Sequence, residues 1–381
     1  MNDFTPALPF AWRFPLPTYP ITLLAVLSLS LLVLGGCDPF NTRFDDLEDA
    51  LYYQARQITP PPPPGDDLLI MNWNTKYAGG RIDFWFDCHG DRVLMESHEV
   101  YANLEGLAEK IRLVDADILL VQEIDIDSKR GAYIDQVQWI LDHTDYNYAV
   151  YASQWKADFI PSDGLGRMNM GNAIFSKHPL HDARRIALPQ SDSDDALTRY
   201  FYLNRNILTA TLAIPGFRPI ELLNVHVDAY SHDGTKKVHI DLFKEELDRL
   251  DAAGLRFVGA GDLNTLPPGS EEQHVFADAV CEDEAFMADD YRPEADWLTP
   301  FYEDYQPAIP LEDYQADNER HFSHSVSEDV FWNRKLDYIF TNGAFVEGSG
   351  LTHQDESSGG INTMALSDHA PLSVRLILEP Q

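Results

Sequence analysis

Short apolar runs separated by polar turns occupy most of the chain, and their spacing predicts strands and helices. Apolar residues recur at three- and four-residue intervals in residues 100–114, 133–141 and 238–250, which predicts three helices. Some neighbouring runs are joined by a short turn such as Pro215-Gly216-Phe217. Strands outnumber helices, which favours mixed sheets packed face to face with helices outside. The predicted strands are residues 68–75, 118–124, 146–152, 171–176, 208–214, 220–227, 257–264, 336–341 and 372–378.

One apolar run near the N-terminus lies apart from this pattern. Residues 21–34 are almost wholly apolar and are followed by Gly35-Gly36-Cys37, which resembles the signal of a bacterial lipoprotein. A run of about 14 residues is short for a transmembrane helix and suits the apolar core of a signal peptide. We expect residues 1–36 to be a signal peptide and Cys37 to carry a lipid, with an uncleaved membrane anchor as the alternative. Either interpretation places the rest of the chain in the cell envelope, facing the periplasm or the exterior.

The segment after Cys37 is interpreted as a tether. Residues 45–56 have the pattern of one amphipathic helix, and residues 60–65 are five prolines and a glycine, which form a stiff spacer. We therefore expect a tether over residues 37–65 and one globular domain over residues 66–381.

Composition adds limits on size, charge and redox chemistry. A chain of 381 residues with 44% hydrophobic content can build one large core. The net charge of -34 makes the surface repel nucleic acids and anionic membranes, so a phosphate group has to be held by local cations and metal. If Cys37 is lipidated, only Cys88 and Cys281 remain, and either a disulfide or two free thiols is compatible with an exported protein. Nothing in the sequence predicts a protein partner.

Polar motifs follow the ends of the apolar runs. Carboxylate, amide and imidazole side chains at strand ends are what a hard-metal site that cleaves phosphoesters requires. An ionised carboxylate such as Glu123, at the end of a buried strand, is costly unless a cation meets it. The motifs are Asn72-Trp73-Asn74, Val121-Gln122-Glu123, Asn224-Val225-His226, Gly261-Asp262-Leu263-Asn264, Leu336-Asp337-Tyr338 and Ser367-Asp368-His369.

In this order, over roughly residues 68–378, the six motifs resemble the endonuclease/exonuclease/phosphatase superfamily, whose fold is that of deoxyribonuclease I. The resemblance implies an α+β fold: a four-layer α/β/β/α sandwich with two mixed β-sheets packed face to face. It also implies a metal-dependent phosphoester hydrolase in which water attacks phosphorus directly. Mg²⁺ is the expected cofactor, with Mn²⁺ or Ca²⁺ as alternatives.

The resemblance also assigns roles to the residues of the motifs. Asn74, Glu123 and Asp368 would hold the metal, with Asn74 either ligating it or orienting Glu123. His369, paired with Asp337, would be the general base or would align the attacking water. The remaining catalytic residues would be His226, which contacts the phosphate or protonates the leaving oxygen, and Asp262 and Asn264, which position the water and the phosphate oxygens.

Four further features are candidates for substrate contact. Asn172, Arg205 and Asp228 are candidate substrate-binding residues, although Asn172 equally fits a strand-start turn, Arg205 fits a surface ion pair better, and Asp228 could instead assist His226 or a second metal. Residues 281–329 interleave acidic and aromatic side chains with almost no cations, which is the wrong charge for tracking a nucleic-acid backbone. This segment could cap a smaller phosphoester, bind calcium or only pack.

Three functions remain open from the sequence. The first is a phosphodiesterase or phosphomonoesterase for a small or lipid-derived phosphoester in the cell envelope. The second is a membrane-anchored endonuclease or exonuclease that acts outside the cytoplasm. The third is a lipoprotein that binds ligands on this scaffold without catalysis, since fold alone does not determine function.

Overall fold

Two seven-stranded sheets form the centre of the protein. The computed structural model describes residues 38–61, 63, 65–85, 90–229, 233–270, 273, 276 and 291–381. Thr42–Gln381 form one compact unit. Of the preceding unit, Met1–Asn41, residues 38–41 are described and make a turn.

The strands and helices follow the chain in this order. The strands are β1 (Leu47–Asp49), β2 (Leu51–Gln54), β3 (Asp67–Asn74), β4 (Ile118–Asp125), β5 (Tyr148–Ile160), β6 (Gly166–Ser176), β7 (Leu180–Ala187), β8 (Asn206–Leu212), β9 (Ile220–His226), β10 (Arg256–Asp262), β11 (Gln306–Pro307), β12 (Asp337–Thr341), β13 (Leu351–Thr352) and β14 (Leu372–Ile377). The α-helices are α1 (Ser97–Val114), α2 (Gln136–His143), α3 (Ala196–Phe201), α4 (Thr235–Ala252), α5 (Thr299–Asp304) and α6 (Leu311–Ala316). Short 3₁₀ turns cover Lys76–Ala78, Arg292–Glu294 and Glu319–His321.

Both sheets are mixed. The first has the order β1-β7-β8-β9-β10-β12-β11, and the second has the order β13-β14-β3-β4-β6-β5-β2. Among the described strands, only two pairs are parallel, β9 with β10 and β3 with β4, and each pair lies near the middle of its sheet.

Three apolar clusters define the layers. The first lies between the sheets, where Leu120 and Ile174 of the second sheet pack with Leu208 and Val258 of the first. A second cluster joins the outer face of the second sheet to α1 and α2. A third joins the outer face of the first sheet to α4 and α5. The order helix, sheet, sheet, helix confirms the predicted four-layer sandwich. The nine predicted strands and three predicted helices are all present, with bounds within three residues of those expected except at the end of β5, which lies eight residues later, and the start of β6, which lies five residues earlier.

The helix predicted over residues 45–56 is wrong. Its residues form β1 and β2, which pair antiparallel with β7 and β5 and so extend one edge of each sheet. A short segment with alternating exposure satisfies both a helical and a strand pattern, and the open sheet edges supply hydrogen-bond partners that an isolated helix lacks. The compact unit consequently begins at Thr42, upstream of the boundary predicted at Asp66.

The stretch between β2 and β3 is also attached to the unit. Thr59 N donates to Asn147 Oδ1 at 2.8 Å, and Asn147 Nδ2 donates to Thr59 O at 2.7 Å. Pro62 and Pro64 of the predicted spacer lie outside the described residues, as do residues 1–37, Cys88 and Cys281. Within the described part of the chain, no helix combines the length and the apolar character needed to cross a bilayer.

A fragment that begins at Asp66 is therefore expected to be less stable than one that begins at Thr42. It lacks β1 and β2 and exposes the apolar surface that Ala50, Tyr53 and Ala55 cover, a loss of about 2–4 kcal/mol in the free energy of unfolding. Urea unfolding of the two fragments, followed by circular dichroism, measures the difference. Equal unfolding midpoints would contradict this account of the boundary.

Candidate active site

The polar motifs meet at one end of the two sheets. In the first sheet, Asp262 is paired with His226 of β9 on one side and with Asp337 of β12 on the other. In the second sheet, Asn74 is paired with Gln122, one residue before Glu123. Both parallel pairs end here, and the carboxyl ends of parallel strands are where ligands bind in sheets of this kind. We call this the catalytic end of the protein.

Glu123 projects into the site from a bulge. The pairing of β4 with β6 slips between Val121 and Ile124, and Glu123 has a φ of +53°. A left-handed backbone is unusual for glutamate and costs about 1–3 kcal/mol, so the surrounding structure has to hold it. Bulges of this kind redirect a side chain at functional sites. Here the bulge turns Glu123 towards the space between the sheets.

Asn74 joins the two sheets across the site. Its Nδ2 donates to Glu123 Oε1 at 3.3 Å and to Asp262 Oδ2 at 3.1 Å. Its Oδ1 accepts from the backbone N of Lys76 at 3.1 Å, which fixes which way the amide points. The structure therefore places Asn74 where it orients Glu123, one of the two roles predicted for it.

His369 and Asp337 form a buried pair at 2.8 Å between Nδ1 and Oδ2. The other ring nitrogen, Nε2, lies 3.5 Å from Asp262 Oδ2. Burial alone would lower the pKa of His369, but the charges of Asp337 and Asp262 outweigh it and raise the pKa to about 10. Burial raises the pKa of Asp262 to about 7. The carboxyl groups of Asp337 and Asp262 therefore favour the cationic form of the imidazole that lies between them.

The C-terminal motif is held in place by the second sheet. Trp73 Nε1 donates to the backbone O of His369 at 2.8 Å, and Ser367 Oγ donates to the backbone O of Asn74 at 2.8 Å. Residues that are 296 and 293 positions apart in the chain are thereby fixed against each other.

Ser323 contacts Asp337, and the sequence analysis did not predict this contact. Its Oγ donates to Asp337 Oδ2 at 2.7 Å, the same oxygen that accepts from His369. The Oγ also accepts from the backbone N of Leu336 at 3.1 Å and of Asp337 at 3.3 Å. Because the Oγ accepts from both backbone donors, its own proton is available for Asp337. Ser323 therefore orients the Asp337 carboxylate, which in turn orients the His369 imidazole.

Replacing Ser323 by alanine is expected to lower kcat about 10–100-fold with little change in KM, because outer partners of catalytic groups have effects of this size. Ser323→Thr keeps the hydroxyl and is expected to restore most of the rate. Steady-state kinetics on bis-p-nitrophenyl phosphate separates kcat from KM, and Ser357→Ala, at an exposed serine, is the control. Equal losses in the alanine and threonine variants would show that packing rather than the hydrogen bond matters.

His226 faces the same carboxylates from β9. Its Nε2 lies 3.5 Å from Asp262 Oδ2 and 3.8 Å from Glu123 Oε1. Burial lowers the pKa of His226 well below its ordinary value, and the neighbouring Arg205 acts in the same direction. A neutral imidazole offers one N–H to a phosphate oxygen. This arrangement suits the predicted phosphate contact better than proton donation to the leaving oxygen.

Arg205 and Asp228 support the end of β9. Arg205 Nη1 donates to the backbone O of His226 at 3.3 Å, and Nη2 lies 3.9 Å from Asp228 Oδ1. The backbone N of Asp228 donates to His239 Nδ1 at 3.3 Å. The pair lies beside His226, and its contact with substrate stays a prediction.

Asn264 and Asn172 differ in their surroundings. Asn264 follows Asp262 with a φ of +47°, and its backbone N donates to Asp262 Oδ1 at 3.0 Å. Asn172 is paired with Ala152 of the core between the sheets, and neither polar atom of its side chain has a hydrogen-bond partner among the described residues. The structure places Asn264 beside Asp262, whereas no hydrogen bond links Asn172 to the catalytic residues described here.

Glu123 and Asp368, at the catalytic end, fit a divalent cation. Burial and the nearby charge of Asp368 raise the pKa of Glu123, so the two carboxylates repel each other. Burial opposes ionisation of Asp368, but Lys76, 3.8 Å away, and His369 hold its pKa below the ordinary value. Neighbouring carboxylates are the ligands that Mg²⁺, Mn²⁺ and Ca²⁺ prefer. Glu123 and Asp368 would hold the metal, with Asn74 orienting Glu123.

His324 also lies at the catalytic end. Its ring centre is 4.4 Å from that of His369, and ligand atoms of His324, Asp368 and His369 all lie within 4.8 Å of one another. Burial lowers the pKa of His324 well below its ordinary value. A second such group consists of Asp262, Asp337 and His369.

The acidic and aromatic segment packs against the first sheet where it is described. Phe301 lies 5.9 Å from Phe243 of α4 and 5.3 Å from Phe340 of β12, measured between ring centres. Tyr305 packs edge to face with Phe257. Residues 277–290 lie outside the described residues. The described aromatic residues therefore serve the core, the third of the roles considered for this segment.

Comparisons with known proteins agree with this geometry. A sequence model of the Endonuclease/Exonuclease/phosphatase family matches residues 100–369, more than half of the chain. No protein of curated function matches the sequence.

Solved structures share the fold at low identity. An endonuclease/exonuclease/phosphatase from Beutenbergia cavernae DSM 12333 is 18% identical with a TM-score of 0.53, over 83% of this chain and 72% of that one. A functionally unknown conserved protein from Enterococcus faecalis V583 is 17% identical with a TM-score of 0.51, over 82% and 100%. The human Nocturnin catalytic domain with bound sulfate anion is 15% identical with a TM-score of 0.51, over 86% and 97%. At these identities the likeness concerns the fold alone.

Proposed function

Because the chain belongs to the Endonuclease/Exonuclease/phosphatase family, whose members are generally metal-dependent phosphoester hydrolases, we propose that it hydrolyses a small or lipid-derived phosphoester in the cell envelope. The observation that carries the proposal is the chain of contacts at the catalytic end. Asn74 donates hydrogen bonds to both Glu123 and Asp262. Asp262 faces His369, which is paired with Asp337. Side chains from five separate motifs are thereby joined around one space.

The side chains have separate roles when water attacks phosphorus directly. Asp262, whose Oδ2 faces the Nε2 atoms of both His226 and His369, positions the water and accepts its proton. His369, held by Asp337 and Ser323, and neutral His226 direct N–H groups at the phosphate oxygens, where charge builds in the transition state. Direct attack by water on phosphorus requires no covalent intermediate with the enzyme.

A divalent metal held by Glu123 and Asp368 would supply Lewis-acid stabilisation of the phosphoryl group. Asn74 would keep Glu123 in position whether or not the metal is bound, since its own amide is oriented by Lys76 N. Mg²⁺ suits an all-oxygen site that keeps several waters, and Mn²⁺ or Ca²⁺ could replace it.

The location in the cell envelope rests on the N-terminal sequence. Residues 21–34 and Cys37 have the pattern of a lipoprotein signal, and the proposed enzyme is attached to a membrane through a lipid on Cys37 or through the uncleaved apolar segment. The net charge of -34 supports a small phosphoester over a nucleic acid, because a surface of this charge repels a polyanion.

Turnover by the full chain with Mg²⁺ on five substrates tests the proposal: plasmid DNA, bis-p-nitrophenyl phosphate, p-nitrophenyl phosphate, inositol phosphates and sphingomyelin. We expect hydrolysis of at least one small or lipid phosphoester at a rate well above that on DNA. Faster cleavage of DNA, falling steeply with added salt, would instead show an anchored nuclease. Inactivity on every substrate and metal would favour a binding lipoprotein on this scaffold.

A further inference from the structure

The polypeptide enters the compact unit at the same end as the catalytic residues. Strand pairing places Leu47 of β1 opposite Ile186, Ile186 opposite Ile207, and Ile207 opposite Val225, the residue before His226. These residues form one row across the first sheet, at the level of the site. Three strand spacings of about 4.8 Å separate β1 from β9, so the row spans about 14 Å.

The residues before β1 lie beyond this row, at the catalytic end. The backbone N of Ala187 donates to the backbone O of Asp46 at 2.8 Å. Buried Arg185 donates to the backbone O of Asp45 and lies against the ring of Phe44, 4.0 Å from its centre. Because β1 runs away from the site, residues 44–46 are fixed at the rim of the catalytic end rather than at the far end of the sheets.

Little chain separates this rim from the proposed membrane anchor. Phe44, at the rim, follows Cys37 by seven residues and Leu34 by ten. Fully extended, these lengths reach about 24 Å and about 34 Å. An anchor at either position therefore keeps the catalytic end within this reach of the lipid surface.

Exposed apolar side chains surround the catalytic end. Leu197, 69% exposed, lies on α3 in the connection from β7 to β8, whose ends both face the site. Phe331, 46% exposed, lies in the connection that leads into β12 at Asp337. Phe159, 52% exposed, is near the tip of the β5 and β6 hairpin, which continues past Ser153 for seven residues, about 23 Å.

From these observations we propose that the rim of the catalytic end, formed by Phe159, Leu197 and Phe331, docks on the surface of the membrane that holds the anchor, and that the substrate is a phosphoester at that surface. This inference rests on the proposed function and on the proposed anchor. Aromatic and leucine side chains insert at the boundary between headgroups and acyl chains. Exposed Asp192, Asp195 and Asp329 of the same loops repel anionic lipids, so the surface fits zwitterionic headgroups.

Photolabelling of the full chain in phosphatidylcholine vesicles that contain a photoactivatable phosphatidylcholine tests the docking surface. Peptides that contain Phe159, Leu197 and Phe331 are expected to be labelled at least fivefold more than peptides that contain Leu113 and Leu255. These two leucines are also exposed, at 60% and 42%, but lie beside the starts of β4 and β10 at the opposite end. Stronger labelling at the opposite end, or no labelling after residue 41, would overturn the inference.

Matched variants separate docking from folding. Leu197→Glu with Phe331→Glu is expected to reduce labelling of the rim severalfold, whereas Leu113→Glu with Leu255→Glu leaves it unchanged. The same vesicles are assayed on soluble bis-p-nitrophenyl phosphate, which does not need the membrane. If the rim is labelled but bis-p-nitrophenyl phosphate is not hydrolysed, the proposed function is refuted and the docking surface stands. If bis-p-nitrophenyl phosphate is hydrolysed but the rim is not labelled, the docking surface is refuted and the proposed function stands.

Discussion

Replacing His369 by alanine is expected to reduce kcat by about 10³-fold, within the range that positioned acid–base groups contribute. The variant loses the imidazole that lies between Asp337 and Asp262, and with it the donor aimed at the phosphate. The loss should fall on kcat rather than on KM, because the charge that His369 stabilises develops in the transition state. The readout is release of p-nitrophenol from bis-p-nitrophenyl phosphate under saturating Mg²⁺.

His181→Ala provides the control, since His181 is exposed on β7 and takes no part in the site. A His369→Ala enzyme that retains more than a tenth of the wild-type kcat would remove the imidazole from the mechanism. Asp337→Asn tests the direction in which Asp337 shifts the pKa of His369. Because the Asp337 charge raises the pKa of His369, its removal lowers that pKa, and the alkaline limb of the rate profile should move to lower pH.

The second large effect is expected at Glu123. Glu123→Ala removes one of the two carboxylates proposed to hold the metal, so the Mg²⁺ concentration for half-maximal rate should rise more than tenfold, and kcat/KM should fall by about 10³-fold. The pKa of Glu123 is raised by burial and by the charge of Asp368, and this repulsion is what a cation relieves. A magnesium titration of the rate, with the exposed Glu105→Ala as control, measures both quantities.

Stability distinguishes a metal role from a structural one. Without metal, Glu123→Ala removes one carboxylate of a repulsive pair, so its free energy of unfolding should be equal to or higher than that of the wild type. Added Mg²⁺ should stabilise the wild type and not the variant, because a ligand that binds only the native state adds to its stability. Equal stabilisation of both proteins by Mg²⁺ would place the metal elsewhere.

The sequence predicted the fold well because buried strands of this protein are nearly continuous apolar runs. Residues 118–124 illustrate this, since β4 is buried along almost its whole length and its limits were predicted within one residue. β7 was not predicted, because His181, Asp182, Arg184 and Arg185 interrupt its apolar positions. β1 and β2 were taken for a helix, because strands of three and four residues have no period of their own.

The site was predictable in its residue types and not in its contacts. Polar groups at strand ends indicated Glu123 and Asp262, because parallel strands bring their carboxyl ends together. His369 precedes β14, which is antiparallel to β3, and was indicated by the resemblance of its motif. The bulge that aims Glu123 depends on pairing with β6 and leaves no local pattern. Ser323 lies 14 residues before Asp337, and only the folded chain brings its hydroxyl to that carboxylate. Serine in a polar segment gives no signal of such a role.

The central claim is metal-dependent phosphoester hydrolysis at the site shared by Glu123, Asp262 and His369. The most direct test is p-nitrophenol release from bis-p-nitrophenyl phosphate by the full chain, first stripped with EDTA and then given Mg²⁺. We predict no turnover after stripping, recovery on addition of Mg²⁺, and no recovery in Glu123→Ala. Turnover that survives stripping, or equal recovery in the wild type and in Glu123→Ala, would contradict the claim.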